Sequence, residues 1–169
     1  MAKKSKDRIS EETANAYHEA GHAVVSVKQK LLFKRVTIVA DEGSVGCTQL
    51  ELWGDFRPEA QADLRTRDRL QRYVSSVLAG PAAEERLLGK NSYDGAGAED
   101  DWREAFEQAL RAYGSPRQAK AYLELLYIVE QERMREPSAW AAVRAVAKEL
   151  LKQKTLTAKQ VRALVDQSM

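Results

Sequence analysis

A chain of 169 residues, 44% hydrophobic and 31% charged, has the size and composition of one globular domain able to bury a core. Its 27 basic and 25 acidic residues are interspersed and leave a net charge of +2, so no face is built for a polyanion, and no nucleic acid or membrane partner is expected. Cys47 is the only cysteine, which excludes an internal disulfide and any multi-cysteine metal site and fits a reducing, cytoplasmic compartment.

The first nine residues, within "MAKKSKDRIS", are basic and are followed by no apolar stretch of signal-peptide or membrane-spanning length. They read as a flexible tail ahead of a single domain covering 10–169. Ser10 followed by Glu11, Glu12 and Thr13 reads as an N-cap with acidic first-turn residues, opening a helix that runs to about Leu31. "RVTIVA" and "GCTQLEL" are β-branched and alternating, and "DEGSV" between them predicts a strand pair with a glycine-containing turn. A long helical pattern covers about 58–88, interrupted or bent at Pro81, which has no backbone N–H to donate.

Three glycines within residues 89–100 predict a loop that delivers Asp100 and Asp101 to the N-terminus of the next helix, "EDDWREAFEQALRAYG". Three further helices follow, each opened by Ser, Thr or Pro. The expected fold class is α+β, mainly helical, with a small sheet beside the first helix and a C-terminal helical bundle. The last helix has only three basic residues from Lys154 to Arg162 and no aromatic or glycine-rich nucleic-acid motif, so it does not read DNA.

Both histidines of the chain lie in "NAYHEAGHAV". His18 and His22 are four apart, so on a helix they project from one face, one turn apart, close enough to hold one metal ion. Glu19 lies beside them. In metal-assisted hydrolysis such a glutamate takes the proton of a water made acidic by the ion. Gly21 leaves the helix surface open to a close neighbour or a substrate. The five-residue pattern alone also arises by chance in helices; here the positions around it are uncharged, as in a helix packed within a core.

A catalytic zinc takes a third protein ligand and leaves its fourth position open. That ligand is no histidine here, because the chain has only these two; Lys28 stands where zinc proteases with a third histidine six residues downstream have it. The candidates are Glu84, Glu85, Asp100 and Asp101, with Cys47 as a lesser one, since a lone cysteine in a strand is more often a core residue.

Several segments, in order, resemble the protease domain of the FtsH-type zinc metalloproteases. "YHEAGHAVV" resembles the zinc helix of that family and "FKRVTIVADEGSVGCTQLE" its following strand pair. "RDRLQRYVSSVLAGPAAEERLLG" is similar to its segment ending in Gly-Arg-Ala-Ala-Glu-Glu, "GAGAEDDWREA" to its loop and helix carrying an aspartate ligand, and "LLKQKTLTAKQVRALV" to its C-terminal helices. The resemblance implies Zn²⁺ held by His18, His22 and Asp101, with Asp100 one register step away, and Glu19 as the catalytic glutamate. Glu84 could then orient a ligand histidine. The strand from Gly46 to Leu50 could hold an extended peptide along a free edge.

The sequence departs from that family in three places. It contains no G-x-x-x-x-G-K-[ST] nucleotide motif and no membrane helix; Pro81 replaces an arginine; and "RAYGSPRQAKAYLELLY" is shorter than the corresponding family stretch. The expectation is a zinc-dependent endopeptidase acting on unfolded or flexible protein segments, with no ATPase of its own and a possible partner ATPase in trans. Its oligomeric state is left open. The alternative is a non-proteolytic, metal-stabilised binding or regulatory module of the same fold.

Overall fold

The computed structural model describes residues 9–39, 47–50, 63–89 and 96–168, with side chains throughout except at 47–50, 96 and 97. The elements run α1 Glu11–Lys28, β1 Phe33–Thr37, β2 Cys47–Leu50, α2 Leu64–Leu88, α3 Ala96–Tyr113, α4 Pro116–Arg135, α5 Pro137–Gln153, β3 Thr155–Thr157 and α6 Ala158–Asp166. The class is α+β and mainly helical, as expected.

Helix α1 begins where its cap predicts: the Ser10 hydroxyl accepts a hydrogen bond from the Thr13 N–H at 3.2 Å. All residues from His18 to Ser26 are buried. A helix covered on every side needs small side chains where its neighbours come closest, and "EAGHAVV" supplies them. Its neighbours are α2, α5, α6, β1 and β2.

Of the interruption or bend expected at Pro81, the interruption does not occur: helix α2 is continuous through the proline. An interior proline costs roughly 3 kcal/mol. Leu70, Val74, Leu78 and Ala83, fully buried around it, offset that cost by packing the helix on both sides of the proline. The Asp63 carboxylate caps the start by accepting from the Thr66 N–H at 2.7 Å, and Gly89 ends the helix at φ +65°. The part of the expected helix before Asp63 lies outside the described residues.

The sheet has the order β2-β1-β3, both pairings antiparallel. On β1, Phe33 and Val36 are both buried although three apart, while Lys34 and Arg35 between them are exposed. The register explains this. Phe33 pairs with Leu50 and Val36 with Thr48, three steps against two, so a bulge resets the alternation and returns Val36 to the core side. The expected connecting turn at 41–45 lies outside the described residues. Strand β3 was not expected: three residues between two helices carry no period. Lys154, at φ +65°, ends α5 and turns the chain into it, and the Ile38 N–H donates to the Lys154 carbonyl at 2.9 Å.

Helix α3 starts at Ala96, inside the segment expected to be a loop. First-turn N–H groups have no intrahelical partner in any case, so Gly97 there weakens little hydrogen bonding. Asp101 therefore sits in the second turn rather than at the helix N-terminus. No helix among the described residues is long and apolar enough to cross a membrane.

Candidate metal centre

One turn of α1 brings the two imidazoles together. His18 and His22 are 6% and 7% exposed, and their Nε2 atoms lie 3.0 Å apart with the rings edge to face. Glu19 is buried beside them, one carboxylate oxygen lying within 4.8 Å of a ring nitrogen of each histidine. Gly21, on the same helix, is where α2 comes closest. A Cβ there would lie 2.8 Å from the Ala83 Cβ and closer still to the Ala79 carbonyl oxygen. The open surface read from the sequence is taken by a neighbouring helix.

Helix α2 orients both rings from behind. The His22 Nδ1–H donates to the Ser76 carbonyl at 2.8 Å, and since a carbonyl can only accept, the neutral ring has its lone pair on Nε2. His18 Nδ1 meets the Glu84 carboxylate at 3.0 Å, which demands the same tautomer. Such partners behind a ligating imidazole fix its orientation and raise its basicity. Glu85 is engaged elsewhere: its carboxylate accepts from the Tyr127 hydroxyl at 2.6 Å and the Gln131 amide at 2.9 Å, tying α2 to α4.

Helix α3 closes the cluster with Asp101. Its Oδ2 lies 2.9 Å from His18 Nε2 and 3.3 Å from His22 Nε2, and it is buried with no hydrogen-bond donor in satisfactory geometry. Asp101 shares the inward stripe of Ala98, Ala105 and Ala109, all fully buried. Asp100, one step round the helix, points to solvent and pairs with Arg103. The Cys47 side chain lies outside the described residues. Next to Asp101, the Tyr73 hydroxyl donates to Glu104 at 2.9 Å, a contact that nothing in the sequence announced; burial, then the Glu104 charge, push that phenol far above its ordinary range.

Three acceptor atoms thus form a triangle with edges of 2.9–3.3 Å. A tetrahedral ion with ligand bonds of ~2.0–2.1 Å has edges of about 3.3 Å. Two lone pairs and a carboxylate oxygen so placed repel one another unless a cation sits among them, so this donor set fits a metal ion such as zinc. Without one, protons must serve. Burial lowers the His18 pKa, but the carboxylates of Asp101 and Glu84 against its two nitrogens outweigh it and raise it to about 10. His22 is shifted upward too, burial again being overcome by Asp101. Burial alone would raise the Asp101 carboxyl, yet the two imidazoles hold it well below the usual carboxylate range.

Of the residues expected at the site, His18, Glu19, His22 and Asp101 come together, with Glu84 behind them. Asp100 and Glu85 do not. The Ser76 carbonyl escaped the sequence reading because any residue type offers that group.

Residues 6–114 match the family model described as Peptidase family M41. The chain is 37% identical over 103 residues to the ATP-dependent zinc metalloprotease FtsH of Mesomycoplasma conjunctivae, an alignment covering 60% of this chain and 13% of that protein. It is 36% identical over 107 residues to the FtsH of Mycoplasma mobile, covering 62% and 14%. With the ATP-dependent zinc metalloprotease YME1L of Drosophila melanogaster it shares 32% over 110 residues, again 62% and 14%. The chain therefore aligns with a small part of the length of these relatives. The matched residues include the whole histidine–carboxylate cluster, and on that match the chain belongs to peptidase family M41.

Proposed function

We propose that the chain is the peptidase unit of a zinc-dependent endopeptidase, hydrolysing peptide bonds in unfolded or flexible protein segments. The observation that supports this best is the triangle of His18 Nε2, His22 Nε2 and Asp101 Oδ2 with the Glu19 carboxylate beside it. His18, His22 and Asp101 would hold Zn²⁺, which when bound supplies Lewis acidity toward a carbonyl oxygen and acidifies water. Glu19 then accepts the proton of the attacking water on its carboxylate and returns it to the leaving amine nitrogen. Glu84 and the Ser76 carbonyl hold the imidazoles in the tautomer whose Nε2 is free to ligate.

Strand β2 is at the edge of the sheet among the described residues, so an extended peptide can add to it through backbone hydrogen bonds. Residues 1–169 hold no nucleotide motif, so any ATP-driven unfolding would come from an ATPase module outside them. The alternative, a metal-stabilised binding module, requires ligands but no base. Glu19, buried against both histidines, favours the enzyme. The test is zinc content together with casein cleavage by the wild type and by Glu19→Gln. The enzyme reading expects one zinc per chain in both proteins and a cleavage rate at least about 100-fold lower in the variant. Bound zinc with equal, background-level cleavage in both would favour the binding module instead.

A further inference from the structure

Residues Ser76, Gly80 and Glu84 are spaced four apart and so form one stripe of α2, the stripe that faces His18 and His22. The outer two members anchor the imidazole Nδ1 atoms. The middle one has no side chain, and that is where the rings lie. A Cβ at position 80 would stand 2.9 Å from His18 Nε2 and closer still to both Nε2 and Cε1 of His22. These are the nitrogens that face Asp101.

We infer that Gly80 is a positioning residue of the metal centre: its missing side chain lets both imidazoles lie against α2 with Nε2 turned toward Asp101. This rests on the zinc reading above. With any side chain at 80 the rings must swing away, and they cannot do so while Nδ1 stays on the Ser76 carbonyl and the Glu84 carboxylate. The three ligand atoms then no longer share one ion.

Gly21 provides the contrast. What a Cβ meets there is the Ala79 main-chain carbonyl and the Ala83 Cβ, which can yield only if the helices part. At Gly80 the nearest atoms are the tips of two side chains. Gly21 therefore serves the packing of α1 on α2, and Gly80 serves the site. A glycine-to-alanine change inside a helix ordinarily stabilises it, so Gly80→Ala should keep the fold in the metal-free protein.

The test uses the whole chain, stripped of metal. Zinc affinity is measured by competition with a chromophoric chelator, the tetrahedral cobalt absorption by titration, and metal-free melting by circular dichroism. Gly80→Ala should melt within about 5 °C of the wild type yet bind zinc on the order of 100-fold more weakly and lose the cobalt band. Zinc binding by Gly80→Ala at wild-type affinity, with wild type binding one ion, overturns the inference and leaves the zinc reading intact. A wild type that binds no ion removes both. Should Gly80→Ala fail to fold, the double variant Gly80→Ala/His22→Ala decides. Recovery to the stability of His22→Ala shows that the ring is what the new Cβ strikes, and no recovery overturns the inference.

Discussion

Two adjacent aspartates on α3 face opposite ways, and a rotation of one residue separates them. Asp101 meets both histidines, while Asp100 is 69% exposed and paired with Arg103 at the surface. Asp101→Asn is expected to lower zinc affinity by at least about 100-fold in an equilibrium competition assay. Asp100→Asn should leave it within twofold, because an exposed ion pair contributes little. Equal losses in the two variants would mean that the ligand has been misplaced. The histidines needed no structure to be found, since four residues along a helix is a local relation. Asp101 was named only through the family resemblance, with Asp100 one step away: it stands 83 residues from His18 in the chain, and the glycine-rich segment before it left the register open.

At the level of elements, the caps and amphipathic stripes located all six helices of the described residues, and tertiary packing moved their ends. Helix α3 starts earlier than its glycines predict, because a first-turn glycine forgoes little hydrogen bonding, and α2 runs through a proline because burial on both sides of it outweighs local propensity. Helix α4 shows the reverse tension. Its inner stripe of Leu123, Leu126, Tyr127 and Met134 also buries Glu130, whose Oε2 accepts from Arg133 at 2.8 Å and whose Oε1 has no hydrogen-bond partner among the described residues. Burial raises the Glu130 pKa above its ordinary 4.5 by more than Arg133 lowers it. From pH 4.5 up to its raised pKa the folded chain therefore keeps a proton that the unfolded chain has released. This residue's contribution to stability falls as pH rises through that window. Urea unfolding between pH 5 and pH 8 should lose stability more steeply in the wild type than in Glu130→Gln, and identical slopes would argue against a strained carboxylate.

Across the whole molecule, the candidate centre joins three helices, with α1 giving two rings, α2 their anchors and α3 a carboxylate. An ion bound there binds the folded chain and not the unfolded one. Zinc at 100 times its dissociation constant should add about 2.7 kcal/mol of stability, read as a rise in melting temperature of roughly 5–10 °C over chelator-treated protein. No rise on adding zinc would count against the site. The sequence by itself determined what depends on near neighbours: the cap at Ser10, the helices, and two imidazoles and a glutamate on one turn. Tertiary structure alone decided how closely the Asp101 carboxylate approaches them, that the Ser76 carbonyl stands behind one ring as Glu84 stands behind the other, and that Gly80 makes room for them. Those contacts join residues 54 to 83 positions apart, and their geometry depends on how whole helices pack. No local period encodes that.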